Sequence, residues 1–265
     1  MNGAPARVLI IAGSDSGGGA GLQADIKTAA ALGVYAATAV TAVTVQNTRG
    51  IYGIHPIPAS IVCDQITRVL DDIGADAIKL GMLGSATIVE AVADALQRRA
   101  HEIPVVLDPV LASSSGTALV EGDAIAALKT RLFPLVALVT PNIPEAETLA
   151  GIPVCNTDDM HNAGEILRAL GASAVLVKGG HAKTDTIEDV LVSGQGVRVL
   201  SSPRIESRHT HGTGCTLSTA IACGLAQGTP LAQSIERARA FVQEAIRTAP
   251  GFGRGNGPLN HLVRL

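Results

Sequence analysis

The chain has no tryptophan, two tyrosines and three phenylalanines in 265 residues, so aromatic side chains cannot build its core. Apolar residues still make up 47% of the sequence. Alanine, valine, leucine and isoleucine must therefore do the packing, a palette suited to buried parallel strands under alanine-rich helices. Basic charge is also scarce: 20 lysines and arginines face 23 acids, for a net charge of -3, and no basic cluster occurs. That argues against a nucleic-acid partner. No apolar run approaches the ~20 residues of a membrane span. The run at residues 8–12 is too short for a signal peptide. Four cysteines (Cys63, Cys155, Cys215, Cys223) form no CxxC pair and no metal-finger spacing. Free thiols and a cytoplasmic location are the expectation. GxxxxGK[ST] is missing as well, which excludes a P-loop.

What is present alternates. Apolar runs at residues 8–12, 35–43, 77–80, 105–107, 135–139 and 174–177 read as strands. Helical stretches fall at 22–32, 58–73, 85–99, 121–132, 143–150, 157–170, 213–228 and 231–248. Residues 51–57 suit a short edge strand, residues 46–50 a polar turn, and 189–192 with 197–200 a hairpin. Strands alternating with helices imply an α/β fold with a mostly parallel central sheet covered on both faces. At this length a single domain over residues 1–265 is expected, with a loose tail over 251–265.

In such a sheet, ligands bind beyond the carboxyl ends of the strands. The polar residues there are Asp15 and Asp25, Gln46 and Asn47, Gly81 and Met82, Asp108, Asn142 and Glu145, Lys178 with Gly179 and Gly180, and the loop Gly212–Gly214 with Cys215. Amides and a cation for phosphates, acids for Mg²⁺ and a base near an acceptor hydroxyl are the parts of phosphoryl transfer.

The most informative stretch is THGTGCTLS, residues 210–218. Glycines ahead of a helix admit a ligand to unpaired first-turn amides, a place for a phosphate or oxyanion. Cys215 stands where the helix field favours thiolate, and it reads as nucleophile, base or packed bystander. Residues 19–24, GAGLQA, imitate a dinucleotide fingerprint, but the match begins seven residues past the expected strand end. No acid follows at the ribose position either, so a turn over a small substrate is the better account. Asn142 and Glu145 have the spacing of a capping box or of a Mg²⁺ site. Asp108 reads as a turn residue before Pro109 or a site residue. Lys178, ending a buried strand beside two glycines, points to a phosphate. His181 reads as a loop residue, and His211 as a structural residue or an aid to the anion loop.

Together, THGTGCTLS (210–218), GSDSGGGAGLQAD (13–25), TAVTVQNTRG (41–50), KLGML (79–83), PNIPEA (141–146) and VKGGH (177–181) resemble the bacterial hydroxymethylpyrimidine/phosphomethylpyrimidine kinases of thiamin biosynthesis, within the ribokinase-like superfamily. The likeness runs in order from residue 8 to 249. It implies ATP- and Mg²⁺-dependent phosphorylation of 4-amino-5-hydroxymethyl-2-methylpyrimidine, then of its monophosphate, by a homodimer. By the same resemblance Cys215 is the catalytic base and Gly212, Thr213 and Gly214 supply amides to the moving phosphoryl group. Gln46 reads the aminopyrimidine, and Asp25, Gly13 and Met82 lie at the substrate. Lys178, Asn142 and Asp108 meet ATP, and Glu145 with Asn142 serves the metal.

One departure stands out. The group carries a lysine after its DPV segment, whereas residues 110–116 here read VLASSSG, with Ser114 at that point. Two other readings remain: a pyridoxal/pyridoxine kinase of the same fold, and a pyrimidine-binding regulatory protein without catalysis.

Overall fold

The computed structural model describes residues 3–112, 119–120, 122–180 and 185–263. Ser114 and its neighbours Ser113 and Ser115, the helix start expected at Glu121, and His181 lie outside the described residues.

Nine strands form one sheet in the order β3-β2-β1-β4-β5-β6-β7-β8-β9. Strands β1 (Arg7–Asp15), β2 (Tyr35–Asn47), β4 (Ala77–Leu80), β5 (Val105–Leu107), β6 (Leu138–Val139) and β7 (Ala174–Val177) run parallel. β3 (Gly50–Pro56) adds antiparallel on one edge, and the hairpin β8 (Thr186–Ser193) and β9 (Gly196–Pro203) closes the other. β1 shows why the central strands read as unbroken apolar runs. Leu9 and Ile11 face one core while Val8, Ile10 and Ala12 face the other, all fully buried. Both faces of a parallel strand are roofed by helices, so both are mostly apolar.

The first core packs under α2 (Ala59–Asp72), α3 (Ala86–Arg99), α5 (Ile143–Ala150) and α6 (Thr157–Ala169). A short α4 (Gly122–Ala127) joins them and continues as a π turn, Leu128–Leu132, and a 3-10 turn, Phe133–Leu135. The second core packs under α1 (Gly21–Ala31), α7 (Thr213–Ala226) and α8 (Leu231–Arg247). Truncating a central residue such as Ile10 to alanine would cost ~2–5 kcal/mol by cavity formation.

Several expectations shift. β1 runs on to Asp15, so the dinucleotide look-alike begins closer to its strand than the sequence indicated. Gln46 and Asn47 belong to β2, because β3 pairs with them and extends the strand. Pro58 caps α2 from outside its first turn. β6 keeps only Leu138 and Val139, since Leu135 closes the 3-10 turn.

The tail expected to be loose is docked. Gly257 O accepts from the His211 amide at 3.1 Å, Pro258 bridges to His211, and Asn260 N donates to Ala245 O at 3.0 Å. Leu259, His261 and Val263 are buried, the apolar two within the second core. Its glycines give backbone access rather than slack: a Cβ at Gly255 would sit 2.0 Å from Thr48 O.

Candidate active site

Parallel strands deliver their polar end residues to one side of the sheet, and there a cavity of about 580 Å³ opens. Gly13, Met82, Gln46 and Asp108 line it from the strand ends. So do Asn142, Glu145 and Lys178, and the loop Gly212, Thr213, Gly214 and Cys215 lies along it.

Two glycine-rich segments meet at this cavity. Gly212, with φ 85, is the left-handed residue before α7, and a Cβ there would lie 1.9 Å from Gly19 O. Only glycine allows that approach. The Thr213 amide is already used, donating to Thr210 O at 3.2 Å. Gly214 and Cys215 are thus the first-turn amides that α7 leaves for a ligand. The sequence expectation had enlisted the amides of Gly212, Thr213 and Gly214 instead.

Lys178 and Asp108 form an ion pair, with Nζ 2.8 Å from Oδ1, and both are largely shielded from water. Thr140 Oγ1 also donates to Asp108, at 3.3 Å. A Cβ on Gly214 would come within 3.2 Å of Lys178 Nζ and 3.3 Å of Asp108 Oδ2, so this pair abuts the loop directly.

Asn142 and Glu145 do form the capping box. Glu145 N donates to Asn142 Oδ1 at 2.9 Å, and Asn142 N donates to Glu145 Oε2 at 2.8 Å. The cap leaves Glu145 on the cavity, nearly buried. Burial raises its pKa to about 7; Lys178 opposes the rise and Asp108 adds to it. Among the described residues no group of three or more histidines, cysteines or acids could cage a metal. A crowded carboxylate next to a second one still fits Mg²⁺, which takes one or two carboxylates and completes its shell with water and phosphate.

Two expectations are not met, one by placement and one by burial. Asp25 does not reach the cavity. It is fully buried, with Oδ2 2.7 Å from Lys79 Nζ and Oδ1 accepting from Thr219 Oγ1 at 2.7 Å. The thiolate expected at Cys215 is not favoured either. Burial pushes the thiol up to about 12, outweighing Lys79 and the Gly21 amide, which both pull it down.

Sequence reading passed over Lys79 and left His211 undecided. Lys79 is an ammonium within the four-residue buried strand Ala77–Leu80. A charge there requires a partner, and that was its signal. His211 Nε2 lies 3.0 Å from Asp15 Oδ2 and 3.2 Å from Gln46 Nε2. Asp15 also accepts from the amides of Gly17, Gly19 and Ala20 at 2.7, 3.0 and 2.8 Å. Burial tends to raise its pKa, but the hydrogen bonds from His211 and from the Ala20 and Gly17 amides hold it below the usual value.

A family model described as phosphomethylpyrimidine kinase matches residues 15–260. The chain belongs to the phosphomethylpyrimidine kinase family. Among its relatives, the thiamine biosynthesis bifunctional protein ThiED of Geobacter sulfurreducens is 49% identical over 256 residues, which are 97% of this chain and 52% of that protein. The chain thus spans about half of that relative's length. The hydroxymethylpyrimidine/phosphomethylpyrimidine kinase of Mycobacterium leprae is 46% identical over 265 residues, covering 98% of this chain and 95% of that one. In structure the chain is similar to an ADP complex of Bacillus subtilis pyridoxal kinase, with a TM-score of 0.89, 36% identity and 97% of each chain covered. The family's fold is the ribokinase-like one expected.

Proposed function

We propose that the protein transfers the γ-phosphoryl group of ATP to the hydroxymethyl oxygen of 4-amino-5-hydroxymethyl-2-methylpyrimidine, and then a second one to the resulting monophosphate. The observation that carries this is the convergence on one cavity of the α7 loop, the Lys178–Asp108 pair and Gln46. The loop can hold a transferring phosphoryl group, the lysine a nucleotide phosphate, and the carboxamide an aminopyrimidine edge. Of the two curated relatives reported above, one is named for thiamine biosynthesis and the other as a hydroxymethylpyrimidine/phosphomethylpyrimidine kinase, both at higher identity than the pyridoxal kinase.

The residues divide the work as follows. The Gly214 and Cys215 amides, at the positive end of α7, face the charge that builds on the phosphoryl oxygens. Lys178 exchanges part of its contact with Asp108 for phosphate. Cys215 stands nearest the acceptor hydroxyl, and the small fraction of it that is ionised takes the hydroxyl proton as the oxygen attacks. Glu145, with Asn142 fixing it, would hold Mg²⁺, which when bound neutralises phosphate charge. Apolar Ile187, Val242 and Ile246, from β8 and α8, line the part of the cavity suited to a nucleobase.

We also infer a homodimer. The edge hairpin of β2 and β3 exposes Val45 at 63% and Tyr52 at 66%, with Val43 and Ile54 beside them. An exposed apolar edge strand is a surface that a second copy covers. Its cysteines are free thiols, which fits a reducing, cytoplasmic setting.

A coupled ATPase assay tests the activity, with the free pyrimidine, its monophosphate and pyridoxal as acceptors. Turnover with both pyrimidines above pyridoxal is expected. Preference for pyridoxal would reassign the acceptor, and no acceptor-dependent ATP use would leave a binding protein. Sedimentation of Val45→Glu against wild type tests the dimer.

A further inference from the structure

The Gln46 carboxamide lies between two groups whose hydrogen-bonding roles are set elsewhere. Its Oε1 is 3.2 Å from Thr44 Oγ1 and its Nε2 is 3.2 Å from His211 Nε2. A half-turn about the last side-chain bond exchanges oxygen and nitrogen, so hydrogen-bond logic selects between the two orientations. Thr44 Oγ1 is 2.8 Å from Ser14 O, a carbonyl that can only accept. Its one hydrogen goes to that shorter contact, and toward Gln46 the hydroxyl is an acceptor. On the other side, His211 Nε2 faces the Asp15 carboxylate at 3.0 Å, which also only accepts. That nitrogen therefore carries a hydrogen and is a donor, in the neutral and the charged ring alike. An NH₂ beside it sets donor against donor. Both neighbours independently require nitrogen on the Thr44 side and oxygen on the His211 side.

The backbone of Gln46 is pinned too. Ser16 Oγ donates to Gln46 O and accepts from Gln46 N, each at 2.8 Å. The side chain cannot easily move away to escape its neighbours.

We propose that Thr44 and His211 lock Gln46 into a one-way reader that accepts an aminopyrimidine edge and refuses the matching oxo edge. The inference rests on the reading that Gln46 meets the pyrimidine. In the locked orientation the free edge presents its acceptor on the His211 side and its donor on the Thr44 side. The exocyclic amine then lies toward His211 and the adjacent ring nitrogen toward Thr44. A 4-oxo ring in its lactam form places a carbonyl against the Gln46 oxygen and a ring N–H against its NH₂. Rotating the amide to suit that ring turns both contacts against it: its NH₂ then faces the His211 N–H, whose one hydrogen goes mainly to Asp15, and its oxygen faces the Thr44 oxygen. Thr44 and His211 are positioning residues here, acting through Gln46.

The test is calorimetric binding of 4-amino-5-hydroxymethyl-2-methylpyrimidine and its 4-oxo analogue to wild type, Thr44→Val and Thr44→Ser. Binding separates recognition from turnover, so a catalytically silent protein still answers. Wild type should prefer the amino ligand by ~10²-fold or more, because the wrong edge leaves buried groups unpaired. Thr44→Val should lower that preference about tenfold, and Thr44→Ser should keep it, since the hydroxyl returns the acceptor. A full preference in Thr44→Val, or its loss in Thr44→Ser, overturns the lock. If Thr44→Val does not fold, a crystal of wild type with the amino ligand decides: an amine on the Thr44 side sinks the proposal. If Gln46→Met binds the amino ligand as wild type does, the underlying reading of Gln46 fails, and the lock with it.

Discussion

Lys79 and Asp25 form an ion pair sealed from solvent: Nζ and Oδ2 are 2.7 Å apart and neither side chain has accessible surface. Burial alone would pull the lysine down, but Asp25, with Cys215 and Asp108 behind it, holds its pKa above the ordinary value. Thr219 completes the carboxylate's shell, so β4, α1 and α7 are joined at one buried point. Thr219 lies one turn beyond Cys215 on α7, and the pair thereby anchors the helix that follows the Gly212 loop.

Breaking this pair from one side should be costly. Lys79→Met leaves a buried carboxylate without its cation, a loss of ~3–5 kcal/mol. Lys79→Met with Asp25→Asn should recover part of it. Urea unfolding of the two variants checks this, and a single variant as stable as wild type would show that the charge is compensated elsewhere.

The Cys215 thiol should be sluggish toward alkylation at neutral pH, because burial pushes it up to about 12. Its rate with iodoacetamide should rise tenfold per pH unit well past pH 8, tracking the thiolate fraction. Cys215→Ala should cut kcat by ~10²-fold or more if the sulfur takes the proton, while the melting temperature stays near that of wild type. Wild-type turnover in Cys215→Ala would remove the sulfur from the mechanism.

Gln46→Met should weaken the pyrimidine far more than the nucleotide. The expected result is a KM for the pyrimidine raised ~10-fold or more, with the KM for ATP little changed. An equal loss for both ligands would place Gln46 outside the acceptor subsite.

Acid should loosen the docked tail. Burial, helped by the charge of Lys27, lowers the pKa of His261 from 6.5 to about 4. The unfolded chain then binds the extra proton across that window and the folded one does not. Stability should therefore fall as pH drops from 6.5 toward 4, by up to ~3 kcal/mol. His261→Gln should flatten that stretch of the stability profile, read by thermal melts between pH 7 and 4 on the same scale. A slope unchanged in the variant would assign it to other groups.

Much of this was legible in the chain. Short apolar runs such as Ala77–Leu80 and Val105–Leu107 stand out because parallel strands are dry on both faces. Asn142 and Glu145 announced their cap through a local rule three residues long. What stayed hidden depends on distant partners. Asp25 and Lys79 are 54 residues apart, and the sequence of neither shows that it faces inward toward the other. The length of β2 depends on pairing with β3, and the thiol's protonation depends on how much water α7 excludes. The tail's glycines read as freedom, and only the crowding against Thr48 and His209 shows them as close contacts.

That tail holds a further lesson in its grip on His211. The residue that hands its amide to Gly257 also touches Asp15 and Gln46 and directly precedes Gly212. A protease nick or truncation behind Pro250 would thus unfasten the 212–215 loop from outside. An assay would record damaged chemistry, although no reacting atom had lost a neighbour.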